Sequence, residues 1–320
     1  MSLPVDPQTN APTTDAAPDE PPRRILIVSH TGRPGAVAEA TGMIGQLLSA
    51  GVQVALLPSE ADALGAGRDG VVVADPDRPA AGSELIICLG GDGTILRGAE
   101  LGRDDGVAVL GVNLGHVGFL AEAEQEDLHL SVERVVARDY DVEERMAIDV
   151  VVSVGGVEVA RSWALNEATV EKAARERMLE VVLEVDGRPL STVGCDGVVM
   201  ATPTGSTAYG FSVGGPVIWP EVEAMLFVPI SAHALFARPL VVAPGSRLAV
   251  EVLEDTEGSG VLWCDGRRMV ELPPGARIEV TRSQTPVRLA RLTRAPFTDR
   301  LVAKFNLPVS GWRGGRARRS

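Results

Sequence analysis

LIICLGGDGTILRGAEL, residues 85–101, decides the fold. Five apolar residues in a row, Leu85 to Leu89, show no alternation and so suit a strand covered on both faces, as in a parallel sheet. Glycines break the strand, and helical spacing begins near Ile95. A strand, a glycine turn and a helix form the unit of an open α/β sheet, and ligands bind such sheets at the carboxyl ends of the strands. Gly90, Gly91 and Gly93 let the main chain approach a phosphate without Cβ hindrance. The helix start, with Thr94, directs free N–H groups and a partial positive charge to the same spot. Asp92 at the tip can accept a hydrogen bond from a hydroxyl, orient it, and take its proton as phosphoryl transfer proceeds. The bland alternative is a tight turn built on an Asp-Gly pair.

Upstream, RILIVS (residues 24–29) reads as another buried strand. An alanine-rich helix over 36–50 follows, with Gly51 where a terminating glycine belongs. Strands at 52–57 and 71–74 come next, separated by a Gly/Asp-rich loop. That loop spells G-x-G-x-x-G at residues 65–70. The spelling is a chance match, because a dinucleotide fingerprint follows a strand and opens a helix, whereas here a strand follows it. No glycine-lysine-serine or glycine-lysine-threonine triplet exists. Downstream, residues 107–115 read as a strand. Residues 124–138 read as a helix with acids early and arginines late, as its dipole prefers.

Past Tyr140 the texture changes. Short β-branched runs alternate with turn pairs at 155–156, 186–187, 244–245, 265–266 and 274–275, the pattern of an all-β domain of hairpins. The expected organisation is a disordered lead (1–22), an α/β domain (23–145) and an all-β domain (146–292). A returning helical segment (293–312) packs on the first domain, and a basic tail (313–320) ends the chain. Asp186 and Asp265, each in a DGR triplet between strands, read as hairpin-turn residues.

Of 320 residues, 45% are hydrophobic and 23% charged, which excludes wholesale disorder. Forty-three acids against 30 bases give a net charge of −13. That field repels polyanions, so neither a nucleic-acid nor a membrane partner is expected, and an anionic ligand must be held locally. Cys88, Cys195 and Cys264 lie far apart and read as small core residues of a reducing compartment. The four histidines have no metal spacing, and His116 and His233 receive no chemical role. With no signal sequence or apolar run of spanning length, the chain is expected in the cytoplasm.

GGDGT alone is shared by phosphofructokinases, diacylglycerol and sphingosine kinases, and NAD kinases. Four downstream segments choose among them: NLGHVGFL (113–120), ALNEATVEK (164–172), CDGVVMATPTGSTAYGFSVGGP (195–216) and HALFARPLV (233–241). In this order, from residue 24 to about 312, they resemble the NAD kinase family, in its actinobacterial form. The resemblance implies a phosphofructokinase/diacylglycerol-kinase-like open parallel sheet in the N-terminal α/β domain and an all-β C-terminal domain for NAD binding and oligomerisation. It also implies phosphorylation of the 2′-hydroxyl of the adenosine ribose of NAD, with ATP, or polyphosphate, as donor and a divalent cation, Mg²⁺, as cofactor. A homotetramer or homodimer is the implied assembly.

By the same resemblance Asp92 is the catalytic residue. Asp92, Gly93, Arg97, Asn166, Glu167, Arg177, Asp196, Thr207, Ala208, Tyr209, Gly210, Phe211 and Ser212 contact NAD, and Asp196 can serve a neighbouring subunit. Gly90, Gly91, Gly93 and Thr94 form the phosphate loop. On chemistry alone, the Asn166 amide offers a donor and an acceptor to a base or sugar, although an Asn-Glu pair also suits a solvated turn. Tyr209 offers a ring for a base. A guanidinium at Arg97 or Arg177 suits a pyrophosphate, though exposed arginines are often mere surface. Phe119 either walls the pocket or fills the core. The alternatives in function are a lipid or other small-alcohol kinase sharing GGDGT, and a catalytically silent NAD-binding module.

Overall fold

The computed structural model describes residues 22–32, 34–114, 118–124, 128–175, 177–256, 258–293 and 295–309. The N-terminal lead up to residue 21, the basic tail and His116 lie outside the described residues. The first half lays down β1 (Arg24–Ser29), α1 (Pro34–Ser49), β2 (Gln53–Leu56), α2 (Pro58–Leu64), β3 (Val71–Val73), β4 (Leu85–Leu89), α3 (Asp92–Gly102), β5 (Ala108–Asn113), β6 (Ala123–Glu124), α4 (Leu128–Val136) and β7 (Asp141–Arg145). The second half continues with β8 (Ile148–Val154), β9 (Val157–Ala164), β10 (Glu167–Lys172), β11 (Leu179–Val185), β12 (Arg188–Cys195), β13 (Gly197–Ala201) and α5 (Tyr209–Ser212). It ends with β14 (Met225–Ile230), β15 (Leu240–Val242), β16 (Leu248–Val252), β17 (Gly260–Cys264), β18 (Arg268–Leu272), β19 (Ala276–Arg282), β20 (Val287–Arg291) and α6 (Phe297–Phe305).

One sheet runs β3-β2-β1-β4-β5-β20-β7, with β6 beside β5. It is parallel from β3 to β20, and β7 closes it antiparallel. β1 and β4 are buried almost throughout, as continuous apolar strands under helices must be. On α1 the residues Ala36, Ala40, Met43, Ile44 and Leu47 recur at helical spacing and are all buried. The chain leaves β1 toward β2 and β3, then returns to β4 on the other side. The sheet therefore reverses direction between β1 and β4, where a crevice opens beyond the strand ends.

Two antiparallel six-stranded sheets, β15-β14-β13-β10-β17-β18 and β12-β11-β16-β19-β8-β9, make the second domain. One core joins their inner faces, with Val150, Val181, Val250 and Ile278 meeting Val170, Met200, Phe227 and Leu262. The turns at 155–156, 186–187 and 265–266 all have positive φ at both residues, which is what tight hairpins demand. All three cysteines are buried and free. No helix among the described residues is long and apolar enough to cross a membrane.

Three details depart from the sequence reading. β20 belongs to the first sheet, so the chain re-enters that domain at Val287 rather than near residue 293. VRLAR reads as one more β-rich segment, and only its long-range partners assign it. The loop before β3 contains α2, whose Pro58 occupies the first turn and whose Glu60, Ala61 and Leu64 are buried. Gly65, first in the chance G-x-G-x-x-G, ends that helix with φ 93°. α4 is shorter than residues 124–138, because Ala123–Glu124 pair with β5.

Candidate active site

The turn from β4 into α3 depends on Gly90. Its φ of 155° is open to glycine, and a Cβ there would lie 2.4 Å from the Thr94 hydroxyl oxygen. Gly91 caps α3, and Asp92 is its first residue, where the helix dipole favours a carboxylate. Half-buried, Asp92 accepts hydrogen bonds from the backbone N–H of Phe119 (3.2 Å, to Oδ2) and of Leu120 (3.2 Å, to Oδ1). Gly118 makes this approach possible, since a Cβ there would fall 2.3 Å from Asp92 Oδ1. Phe119 itself is buried against Phe297 and Phe305 of α6 at 6.0 and 5.7 Å between ring centroids.

A cleft of 810 Å³ opens at the β1/β4 switch point, on the glycine face of the turn. Gly90, Gly91, Gly93, Thr94 and Arg97 line one wall, and Ser29 to Gly32 with the start of α1 line another. The third wall is Asp265, Gly266 and Arg267, the tip of the β17–β18 hairpin of the second domain. Arg97 pairs through one terminal nitrogen with Glu60 of α2, whose other oxygen accepts the Ser29 N–H at 3.0 Å. The Arg97 fork is thus held at the cleft by a buried acid.

Asn166 and Glu167 are buried, 8% and 7% exposed, so the solvated-turn alternative for the pair is excluded. Leu165 packs in the same core as Ile95 of α3 and Leu120. One carboxylate positions the segment: Asp265 accepts N–H bonds from Leu165 (2.9 Å), Asn166 (2.7 Å) and Glu167 (3.3 Å). Its partner Arg268 sits 2.7 Å away. Burial pushes the Asp265 carboxyl above its usual range, against those amides and Arg268. Asp265 is a turn residue, as its triplet indicates, but it is also the anchor of the Asn-Glu pair. Burial, then the Asp265 charge, pushes the Glu167 carboxyl up to about 8, with the Tyr209 amide opposing. Glu167 Oε2 has no hydrogen-bond partner among the described residues.

The 202–212 segment folds against this pair. Thr202 donates its N–H to the Asn166 carbonyl at 2.9 Å, and a Cβ on Gly205 would lie 2.0 Å from that oxygen. Thr207, Ala208 and Tyr209 are half-buried, Gly210 is buried, and Phe211 and Ser212 are exposed. Burial and the nearby Glu171 and Glu167 raise the Tyr209 phenol, whose hydroxyl hydrogen-bonds Glu171. Phe211 stacks on Phe305 at 4.5 Å, so α6 touches both Phe119 and the 209–212 turn. Asp196 lies near Tyr209, and its hydrogen bond with Lys172 holds its carboxyl below the ordinary range. Arg177 stands apart, exposed on the β10–β11 loop beside Gly258. Sequence reasoning missed Asp265, Arg267 and His30 of the cleft, and Glu60 behind Arg97; only the DGR triplet offered a signal, and it was shared with Asp186.

A glycine turn at a topological switch point, with an acid at the helix start and a cleft walled by a hairpin of a second domain, suits a phosphotransferase with an alcohol acceptor. The signatures of the ATP-NAD kinase N-terminal domain (residues 75–140) and C-terminal domain (residues 165–292) both match. The chain is 63% identical to an NAD kinase of Thermobifida fusca over 93% of each chain. It belongs to the NAD kinase family. It is also 62% identical to NAD kinase 2 of Streptomyces coelicolor, over 91% of this chain and 97% of that one. Among solved structures, a yeast NADH kinase complexed with NADH shares the fold at a TM-score of 0.82 and 22% identity, covering 92% of this chain and 90% of that one. An NAD kinase from Archaeoglobus fulgidus in complex with ATP matches at 0.65 and 25% identity, covering 89% and 98%. The family decides the choice that GGDGT leaves open: the acceptor is NAD, and the protein is an enzyme.

Proposed function

We propose that Asp92 is the catalytic residue of this NAD kinase, holding the 2′-hydroxyl of the adenosine ribose while a phosphoryl group arrives from ATP. The observation that carries the reading is the two-sidedness of the α3 N-terminus. Gly90, Gly91, Gly93 and Thr94 line the cleft, whereas the Asp92 carboxylate is turned to the 118–120 backbone. Donor phosphates lie on the glycine side and the acceptor sugar on the carboxylate side. A carboxylate cannot strip a proton from a resting alcohol. In a loose, metaphosphate-like transition state the proton becomes acidic late, so placing the hydroxyl matters more than basicity. The two amides occupy one acceptor site on each Asp92 oxygen and leave others for the hydroxyl.

Asn166 and Glu167, buried beside Tyr209, bind the adenosine moiety, and the 207–212 turn completes that subsite. Arg97 belongs to the phosphate side, with the pyrophosphate of either nucleotide as its ligand. Asp196 and Arg177 sit far enough out to serve a neighbouring copy, which suits a homodimer or homotetramer built through the β domain. Among the described residues no three His, Cys, Asp or Glu side chains converge on a metal-sized gap. A magnesium ion, when bound, would be held mainly by the oxygens of the triphosphate itself and would neutralise phosphate charge. Polyphosphate in place of ATP would use the same glycine wall, and the compartment is the cytoplasm.

The test is Asp92→Asn. The variant folds, binds NAD with unchanged affinity by calorimetry, and forms NADP at least about a hundredfold more slowly, as loss of a general base typically costs. NADP is read with a strictly NADP-dependent dehydrogenase. Near-normal turnover removes Asp92 from the catalytic role.

A further inference from the structure

We infer that Arg267, at the tip of the β17–β18 hairpin, is a ligand of the donor's phosphates, so that the NAD-binding domain supplies one wall of the ATP pocket. The inference rests on the NAD kinase reading and adds a residue that neither the GGDGT turn nor the TPTGSTAY segment contains. Arg267 lines the 810 Å³ cleft together with Gly90, Gly91, Gly93, Thr94 and Arg97. Only its Nε is engaged, donating to the two Glu100 oxygens at 3.2 and 3.1 Å. Its two terminal nitrogens have no partner among the described residues. Arg97, across the same cleft, is likewise tied through a single terminal nitrogen. Two guanidinium forks from two domains thus offer unused N–H groups to one space floored by the start of a helix. Planar forks match phosphate oxygens two at a time. In a chain of net charge −13, such local cations must supply the attraction for a polyanion.

The hairpin tip is braced, which makes Arg267 more than a surface arginine. Asp265, two residues earlier, is fixed by three backbone amides. Arg268, the next residue, binds Asp265 and Glu100 and lies on the Trp163 ring at 4.4 Å, where Arg103 also lies at 4.5 Å. Glu100 lies in the last turn of α3 and Arg103 caps its end, and the helix's first residue is Asp92. The brace therefore sets Arg267 relative to the phosphate loop before any ligand arrives.

A tether that only held the hairpin to Glu100 would act on both substrates or on neither, and the two roles separate kinetically. In Arg267→Ala the KM for ATP rises about ten- to a hundredfold, the loss expected for charge-assisted bonds. The KM for NAD stays within about twofold, and the dissociation constant for ADP, measured by calorimetry without NAD, rises in parallel with the ATP KM. Arg267→Lys, which keeps the charge but not the fork, falls between. Unchanged ATP KM and ADP affinity in Arg267→Ala, or equal rises for ATP and NAD, overturn the inference. Should Arg267→Ala not fold, an unchanged ATP KM in Arg267→Lys overturns it equally. Failure of the wild type to form NADP would instead overturn the family activity, a separate outcome read in the same assay.

Discussion

Replacing Glu167 by Gln should make the protein more stable, and only above a defined pH. Glu167 is 7% exposed, one oxygen has no partner, and the Asp265 carboxylate stands nearby. Its folded-state value is pushed up to about 8 from an ordinary 4.5. Between those limits the folded protein holds a proton that the unfolded chain has released. Stability therefore falls as pH rises, by ~1.4 kcal/mol per pH unit for a single group. The penalty is absent below pH 4.5, grows through the window, and levels off above about 8 at up to ~5 kcal/mol. Glutamine mimics the protonated acid and carries no such penalty. In thermal denaturation from pH 5 to 9, wild type and Glu167→Gln should nearly coincide at pH 5. They should then diverge steadily, the variant melting about 10 °C higher at pH 8.5, at ~2 °C per kcal/mol for a chain of this size. A constant gap at all pH values, or a variant that is less stable at high pH, refutes the burial argument. A pH-independent wild type does so too.

Three further substitutions test the packing around the site. Gly118→Ala puts a Cβ 2.3 Å from Asp92 Oδ1 and so turns the carboxylate. Its kcat should drop by about a hundredfold, as a displacement of ~1 Å can cost, with circular dichroism unchanged; a wild-type kcat would show that the carboxylate's present pose is irrelevant. Gly205→Ala drives a Cβ to 2.0 Å from the Asn166 carbonyl, so the NAD KM should rise well before the ATP KM does. Steady-state kinetics with each substrate varied in turn decides this. Trp163→Leu removes the ring on which Arg103 and Arg268 lie, worth ~0.5–2 kcal/mol per contact. The melting temperature should fall by a few degrees, and an unchanged value would mean the two arginines gain nothing from the ring.

How far the sequence carries is clearest at the two DGR triplets. Asp186 and Asp265 precede glycine and arginine alike, and both adopt φ 53°. Asp186 is exposed, capping the Arg247 N–H at 2.8 Å, while Asp265 is buried and holds three amides of another segment. Turn chemistry is local and so legible; depth depends on how two sheets and a neighbouring domain pack, which no triplet encodes. β20 follows the same rule, since VRLAR states that it is a strand and not which sheet it joins. Conversely, GGDGT was readable because its strand, glycines, acid and helix start are contiguous. Asn166-Glu167 gave chemistry without location, and Glu60 gave neither, sitting in a helix whose proline and flanking glycines read as loop.

The division of labour between the domains follows from one helix. α3 carries Asp92 at its first residue, Arg97 toward the cleft and Glu100 on the hairpin arginines, and its C-cap Arg103 lies on Trp163. At 1.5 Å per residue these span about 16 Å. On the proposed reading the acceptor subsite is built by the β domain, around Asn166 and Tyr209, whereas the proton acceptor, Asp92, belongs to the α/β domain. Phosphoryl transfer tolerates little error between a hydroxyl and the group that orients it. Contacts that tie α3 to β17 and β18 are thus part of the chemistry, although of the residues that make them only Arg267 reaches a substrate. α6 makes a second tie, with Arg300 bonded to Glu122 and to the Phe119 carbonyl, and Phe305 against both Phe119 and Phe211. Loosening either tie at a residue other than Arg267 should lower kcat before it weakens binding of either nucleotide, because each subsite survives intact while their separation does not.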